Sequence, residues 1–159
     1  MPQGKTKVLD VLNDVLSAEL TAINQYFVHA EMCGNWGYQR LHGRIRKDAI
    51  DEMKHAEALI ERILYLQGAP NVTKLGRIAI GQTVLEQLKA DLALELDALP
   101  RLNKAIAVCT DEGDNGSREL FEHILQDEEE HTDRLEAQLA LIEQVGVQNY
   151  LAQQISAEE

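Results

Sequence analysis

The sequence contains few residues that end helices and few aromatic side chains. Its 159 residues include three Pro, ten Gly, one Trp, four Tyr and two Phe. This composition argues against an all-β chain built from many short strands and turns. The two cysteines, Cys33 and Cys109, lie far apart and form no Cys-x-x-Cys motif. We therefore expect two small buried thiols in a reducing compartment and no disulfide.

Long hydrophobic runs are also missing. No stretch approaches the roughly 18 uncharged apolar residues that indicate a transmembrane helix. The first twenty residues include Asp10, Asn13 and Asp14, where a signal peptide needs an apolar core. The sequence therefore predicts a cytoplasmic protein with no membrane partner.

Positive charge is scarce as well. The chain has 15 Lys and Arg against 27 Asp and Glu, a formal net charge of −12. This balance argues against a nucleic-acid partner, because binding to phosphates requires basic residues. It favours the attraction of cations instead. Apolar residues make up 45% of the chain, which suffices for a core, and the length fits a single domain over residues 1–159.

Apolar residues recur every three to four positions in four long stretches, which is the period of an amphipathic helix. The pattern predicts helices over roughly 5–34, 37–66, 83–111 and 117–145 and a short fifth helix over 147–155. Helix breakers at 34–37 and 113–117 separate the members of each pair, with Ser117 expected as the N-cap of the fourth helix. The expected fold is an all-α four-helix bundle.

The segment between the two pairs, roughly residues 67–81, predicts one long crossover. About fifteen extended residues reach about 50 Å, and a helix of about 29 residues is about 43 Å long. The segment is therefore long enough to follow the whole bundle. Thr83 and Glu86 have the spacing of a capping box that opens the third helix. Pro100 lies inside that helix and predicts a kink, since it cannot donate to the Leu96 carbonyl.

Each of the four helices carries an acidic residue on its apolar face. Single glutamates interrupt the first and third apolar stripes, and Glu-x-x-His motifs interrupt the second and fourth. The two glutamates of each helix pair are 33 residues apart, so folding each pair at its turn brings them level. This internal repeat unites six residues: Glu19, Glu52, His55, Glu95, Glu128 and His131.

Four carboxylates and two imidazoles in one bundle core would repel one another and resist desolvation. One buried Glu or His is commonly a satisfied core residue, but six with matched spacing favour a metal site. Oxygen-rich ligands with two histidines suit iron or manganese better than structural zinc, and the pattern is that of di-iron carboxylate bundles. The expected terminal ligands are Glu19 and Glu95, the expected bridges Glu52 and Glu128. Each histidine is expected to bind one metal.

Three further features lie outside this set of six residues. Tyr26 lies on the same face as Glu19; it is either a core aromatic or a residue that hydrogen-bonds a ligand carboxylate or supplies an electron. Met53 follows Glu52 by one position, or about 100° around the helix, and points away from the core, typically toward another helix or subunit. The acidic run 127–130 is expected to be a solvated face, apart from Glu128.

The sequence resembles the bacterioferritin family over essentially its whole length. Matching stretches are 19–27, 35–37, 50–56, 60–64, 91–96, 127–131 and 148–151. The resemblance implies a hollow cage of 24 subunits, built from two-fold dimers, that stores ferric mineral. It also implies a ferroxidase centre, with two Fe ions per subunit on the six residues above. Haem b would be shared by two subunits, with Met53 of each as axial ligand, and the tail helix would line a four-fold channel.

Two positions depart from the family pattern. Many members have a His eight residues before the ligand His of the second helix and use it for iron on the inner surface. Here that position is Lys47, although the accompanying acid, Asp51, is present. This departure argues against an auxiliary inner-surface iron site and against electron delivery that depends on it. Pro100 is the second departure and affects the geometry of the third helix.

The expected function is iron storage and detoxification, with Fe(II) oxidised by O2 or peroxide and deposited as ferric mineral. One alternative is a soluble di-iron or di-manganese oxidase or peroxidase. Another is a non-catalytic haem bundle for electron transfer. A DNA-protecting mini-ferritin is disfavoured because the ligands lie within one chain and no basic tail is present. The resemblance implies a cage that is either pure or mixed with a sister subunit, and a small ferredoxin-like protein as reductant.

Overall fold

The computed structural model describes residues 4–157, which form a bundle of four long helices and one short one. The helices are α1 (Thr6–Asn35), α2 (Gln39–Tyr65), α3 (Val84–Glu112), α4 (Asn115–Val145) and α5 (Val147–Ala152). The predicted all-α bundle with a short C-terminal helix is confirmed. Residues 1–3 and 158–159 of the predicted domain lie outside the described residues.

Two helix ends differ from the predicted ones. Ser117 is not the N-cap of α4. The cap is Asp114, whose side chain accepts a hydrogen bond from the Ser117 backbone N–H at 3.0 Å. Asp114 follows directly on Gly113, whose φ of +70° ends α3, so the turn is shorter than expected. α5 ends at Ala152, because the chain turns at residues 153–154.

The capping box at the start of α3 is formed only in part. The Thr83 side chain caps the helix and accepts from the Glu86 backbone N–H at 3.2 Å. The Glu86 carboxylate accepts from the backbone N–H of Gln82 at 2.7 Å, one residue before the expected partner. Further along, α3 continues through Pro100 to Glu112 as one helix. The first turn of α3 is therefore fixed by two side chains, as the motif predicts.

The crossover runs the length of α1, held by a polar side chain on nearly every turn. Five α1 residues spaced four apart bind its backbone: Asn13, Ser17, Thr21, Gln25 and His29. Their partners advance from Ala69 to Gly81 as the α1 residues advance from 13 to 29. The crossover therefore delivers the chain to the far end of α1. From there α3 returns antiparallel to α1, as contacts between Arg101 and Asp14 require.

Two apolar cores fill the bundle, one toward each end. The first includes Leu12, Leu59 and Phe121, and the second includes Ala30, Leu88 and Tyr150. The charged cluster lies between these two apolar cores. Both cysteines are free and buried. No helix among the described residues is long and apolar enough to cross a membrane.

Candidate metal centre

All six residues expected at the metal site meet in the middle of the bundle. They form two groups in which the potential ligand atoms lie within 4.8 Å of one another. Each side chain is at most 5% exposed. The two groups share the residues expected as bridges, since Glu52 and Glu128 occur in both. The groups are Glu19, Glu52, His55 and Glu128, and Glu52, Glu95, Glu128 and His131.

The two imidazoles turn the same nitrogen toward the carboxylates. His55 Nδ1 lies 3.5 Å from Glu19 Oε2 and 3.5 Å from Glu128 Oε1. His131 Nδ1 lies 3.1 Å from Glu52 Oε1 and 3.5 Å from Glu128 Oε1. Nδ1 is therefore the nitrogen of each ring that can bind a metal between these oxygens.

The opposite nitrogen of each ring contacts a second carboxylate at the edge of the cluster. His55 Nε2 is 2.7 Å from Asp127 Oδ2, and His131 Nε2 is 3.3 Å from Asp51 Oδ2. A carboxylate behind a metal-binding histidine fixes the ring and its tautomer. The acidic run was expected to be mostly a solvated face, and Glu129 and Glu130 are exposed, but Asp127 is half-buried and its carboxylate turns inward to His55.

The centre of the cluster lacks hydrogen-bond partners. Within residues 4–157, buried oxygens of all four glutamates and Nδ1 of both histidines make no hydrogen bond. A buried polar atom without a partner costs about 1–3 kcal/mol, and more if charged. Bound cations would supply the missing partners to oxygen and imidazole donors together. The residues present therefore fit a pair of iron ions.

Burial and mutual repulsion set the protonation of the carboxyl groups. Burial, followed by the charge of Glu19, raises the pKa of Glu52 and of Glu128 well above the usual range. Burial also acts to raise the pKa of Glu95, but hydrogen bonds with Glu128, His131 and Tyr26 bring it below the usual value. Glu95 is thus held in its charged form, and Glu52 and Glu128 hold protons when no metal is bound.

The histidines are protonated by the same neighbours. Burial acts to lower the pKa of His55, but contacts with Glu19 and Asp127 outweigh it and raise the pKa to about 9. For His131, burial is outweighed by contacts with Glu95 and Glu128, and the pKa again rises to about 9. Metal ions that bind near neutral pH must therefore displace protons from both rings.

Tyr26 is fully enclosed beside the cluster. Its hydroxyl donates a hydrogen bond to Glu95 Oε1. Burial, followed by the charge of Glu95, raises the pKa of Tyr26 well above its usual value. The phenol therefore keeps its proton and holds the Glu95 carboxylate in place, in agreement with the interpretation of Tyr26 as a partner of a ligand carboxylate.

A cavity of about 330 Å³ leads to the cluster between α1 and α3. Its inner wall contains the four glutamates, while Arg77 of the crossover, Asp97 and Arg101 line it further along. Arg101 binds both Asp14 oxygens at 2.7 and 2.8 Å and Asp97 at 2.8 Å. The cluster is buried but can be reached by small molecules and ions.

At the position that departs from the family pattern, α2 carries Lys47, directly before Asp48. Lys47 is exposed and belongs to no group of potential ligands. Asp48 and Asp51 instead gather around His131 Nε2, at 3.8 and 3.3 Å. The guanidinium of Arg134 binds Asp48, which leaves this edge of the cluster more neutral than its acid count indicates.

Met53 lies on the outer face of α2 and is 45% exposed. The neighbouring Glu52 and the following Ala56 are buried, so the thioether points away from the metal cluster, as its helix position predicts. An exposed thioether can serve as one axial ligand of a haem, with a second copy supplying the other.

The sequence interpretation missed a second buried polar cluster one turn from the first. His29 Nδ1 lies 2.8 Å from Asp91 Oδ1, and Gln25 donates to the same oxygen at 2.8 Å. Gln87 donates to the Gly81 carbonyl at 3.1 Å. One signal was available: His29 follows Tyr26 by three residues and Asp91 precedes Glu95 by four, so both continue the site-bearing faces.

Long helices with one crossover define a ferritin-like bundle, and the central Glu and His cluster is compatible with a di-iron carboxylate site. Residues 9–145 match the family model of the ferritin-like domain. The chain is 49% identical over 154 residues to the bacterioferritin of Mycobacterium leprae, covering 97% of both chains. It is 47% identical over 150 residues to the bacterioferritin of Streptomyces coelicolor, covering 94% of this chain and 90% of the relative.

A bacterial ferritin of Synechocystis is 45% identical over 155 residues, covering 97% of this chain and 99% of the relative. The chain belongs to the bacterioferritin family. Family membership and the buried cluster support iron storage and iron binding.

Proposed function

We propose that this chain is the ferroxidase subunit of an iron store. Fe(II) is its substrate, and the product, Fe(III), is kept as mineral by the assembled protein. The observation that carries the proposal is the set of buried, unpartnered atoms on four glutamates and two histidines, arranged as two groups that share two carboxylates.

Two Fe(II) ions occupy the two groups. Glu19 and His55 Nδ1 bind one ion at one side, and Glu95 and His131 Nδ1 bind the other. Glu52 and Glu128 lie between the two positions and bind both. Two adjacent ions can together supply two electrons, so O2 is reduced to peroxide, or peroxide to water, while both ions become Fe(III).

The protein residues manage protons and orientation. Fe(II) displaces the protons that His55 and His131 hold in the metal-free site, where their pKa values are about 9. Asp127 and Asp51 keep the two rings oriented through Nε2. Tyr26 donates to Glu95 and prevents that carboxylate from turning away. The cavity between α1 and α3 gives the oxidant a way to the two ions.

Aerobic Fe(II) titration of the metal-free protein tests this proposal. Ferric absorbance is followed against iron added per subunit. We expect a fast phase that saturates near two irons per subunit, followed by slower uptake into protein that stays in solution. Saturation at two with later precipitation of iron would support a soluble di-iron oxidase instead. A missing fast phase would contradict the ferroxidase and leave a haem bundle for electron transfer.

We further propose that Met53 binds haem b at a two-fold contact between subunits. Haem bound there would supply an electron carrier for the release of stored iron, with a small ferredoxin-like protein as reductant. The exposed Met53 thioether supports this proposal. Met53→Leu is expected to abolish the absorption band of haem with two thioether ligands, whereas Met32→Leu, at a half-buried position of α1, is expected to keep it.

Bacterioferritins form multimeric cages, and we propose 24 subunits here, alone or with a sister subunit, in the cytoplasm. Residues 9–145, which match the ferritin-like domain, together with α5 form the single domain of each subunit. Light scattering with mass determination tests the assembly. A stable monomer would contradict storage while leaving the oxidation reaction possible.

A further inference from the structure

We propose that a cavity between α2, α4 and the residues after α5 binds a phosphate group. The cavity has a volume of about 420 Å³ and is separate from the one that leads to the glutamates. Arg40 and Arg44 line it from successive turns of α2, and Arg134 lines it from α4. The Arg40 backbone N–H donates to the Gln154 carbonyl at 3.0 Å, which fixes the C-terminal segment across one side.

Positive charge dominates this cavity, although the chain has a net charge of −12. Among the described residues that line it, Asp48 is the one carboxylate that faces three arginines. Arg134 binds Asp48 directly. Arg44 Nε is 3.7 Å from Asp48 Oδ1, which is too far for a hydrogen bond. Among residues 4–157, two of the three positive charges therefore have no matching carboxylate in the lining of the cavity.

The donors of the cavity are also under-used. Arg44 Nε is buried and makes no hydrogen bond within residues 4–157. The guanidinium of Arg40 has no carboxylate within 4.0 Å in the same part of the chain. Gln138 accepts from the Tyr150 hydroxyl at 2.7 Å through its carbonyl oxygen, which leaves its amide N–H groups as further donors at the wall.

This donor set selects the class of ligand. Planar guanidinium groups bind oxyanions through paired, charge-assisted hydrogen bonds. Two uncompensated positive charges match the charge of hydrogen phosphate near neutral pH. A cation would be repelled, and an apolar ligand would leave Arg44 Nε unsatisfied. The ligand group is therefore a phosphate, either the free ion or a small monoester.

The phosphate site borders the metal centre through one side chain. Arg134 binds Asp48 Oδ2, and Asp48 Oδ1 lies 3.8 Å from His131 Nε2. Binding of phosphate does not depend on iron oxidation, however, because none of the six glutamates and histidines lines this cavity. The site can therefore be tested on metal-free protein, and its failure would leave the proposed ferroxidase untouched.

Calorimetric titration of inorganic phosphate into the metal-free, assembled protein tests the proposal. Chloride serves as the background salt, and glycerol phosphate is titrated in parallel. We expect one site per subunit and binding about tenfold weaker or more in Arg44→Gln and in Arg40→Gln, because each removes a charged hydrogen bond. Arg46→Gln, an exposed residue of the same helix, removes the same charge outside the cavity and should bind normally.

Each outcome has a clear meaning. Binding of inorganic phosphate assigns the free ion, and binding of glycerol phosphate alone assigns an ester. The proposal is wrong if neither binds, or if Arg44→Gln and Arg46→Gln weaken binding equally. If Arg44→Gln fails to fold, Arg44→Lys keeps the charge and should retain weaker binding. Loss of assembly with phosphate binding unchanged would assign the arginines to a subunit contact and overturn the proposal.

Discussion

Two buried polar clusters lie one helical turn apart along the bundle, and they differ in how their polar atoms are satisfied. The cluster around His29 lies between α1 and α3, whereas the six glutamates and histidines come from all four long helices. In the His29 cluster, His29, Asp91 and Gln25 hydrogen-bond one another and the crossover backbone. In the other cluster, the six glutamates and histidines leave buried oxygens and ring nitrogens without partners within residues 4–157. Burial is similar in both, so burial alone does not distinguish a structural cluster from a metal site.

The difference follows from the balance of donors and acceptors. His29 and Gln25 donate to a single carboxylate, and backbone N–H groups complete the network. The other cluster has four carboxylates and only two rings, so acceptors outnumber donors. A folded chain tolerates such an imbalance where a cation completes the cluster. The His29 cluster therefore stabilises the fold, whereas the cluster of six glutamates and histidines destabilises it until metal binds.

The largest effect is expected from Glu128→Gln. Gln keeps the shape of the side chain but removes one carboxylate that both groups share. We expect the fast phase of Fe(II) oxidation to fall by more than about 100-fold, since even partners behind the ligands contribute 10–100-fold in metal affinity. Stopped-flow absorbance at two irons per subunit measures this.

The same substitution should stabilise the metal-free fold, because it removes a carboxyl group whose pKa burial raises. The thermal midpoint of metal-free Glu128→Gln should therefore exceed that of the unmodified chain at pH 7. Glu129→Gln, at the exposed neighbouring position, should change neither quantity. A lower midpoint in Glu128→Gln would mean that the polar atoms of the six residues have their hydrogen-bond partners without metal. The proposed difference from the His29 cluster would then be wrong.

His29→Leu is expected to have the next largest effect and to act in the opposite sense. It leaves the buried Asp91 carboxylate without its ring partner and the Gly81 N–H without an acceptor. Removing one partner of a buried pair costs about 3–5 kcal/mol, which urea unfolding of metal-free protein would detect. Glu31→Leu, exposed on the same helix, is the control.

Iron oxidation per folded subunit should stay within about twofold in His29→Leu, because His29 touches none of the six residues. A severe loss of oxidation with little change in the free energy of unfolding would mean that the His29 cluster serves the reaction. That result would remove the distinction between the two clusters.

The meeting of the six glutamates and histidines in the bundle was predictable because each half of the repeat is periodic. Spacing of 33 residues and two Glu-x-x-His motifs are visible in one dimension. Glu19 and Glu95 needed only the helical period to be placed on the buried face. The bundle and its crossover followed from the same period and from the length of the connecting segment.

The partners of those residues were not predictable in the same way. Asp127 reaches His55 across 72 positions, and His29 reaches Asp91 across 62. Such contacts depend on the rotation of each helix about its axis, which the apolar pattern defines only within a broad stripe. The sequence pattern of a polar residue on a buried stripe is therefore the same whether its atoms have hydrogen-bond partners or need a metal ion.

The dependence of stability on pH tests the protonation of the cluster of six glutamates and histidines. His55 and His131 have pKa values of about 9 in the metal-free fold, above the usual value near 6.5. Their stabilising contribution is complete below about pH 6.5 and is lost as the pH rises toward 9. The raised pKa values of Glu52 and Glu128 act in the same direction.

Thermal melts at pH 6, 7.5 and 9 should therefore show a falling midpoint for the metal-free chain. With redox-inert Zn2+ bound, the fall should be much smaller, because the metal replaces the protons. Zinc binding in weak buffer at pH 7 should release protons, which a pH indicator measures. A metal-free midpoint that rises with pH would contradict the protonated histidines.

The smallest effect is expected from the carboxylates behind the two rings. Asp127→Asn should weaken metal binding by about 10–100-fold, because it alters the hydrogen bond that orients His55. Asp51→Asn should cost less, since its oxygen is 3.3 Å from His131 instead of 2.7 Å and Asp48 stays within 3.8 Å of the same nitrogen. Titration with Co2+ and its visible absorbance compares the two variants, and Glu130→Gln on the exposed face is the control.

Equal losses in both variants would mean that charge near the rings, and not the contact with each ring, sets the affinity. In that case the orientation of the histidines would come from packing alone, and the metal site would depend on the surrounding apolar cores as much as the His29 cluster does.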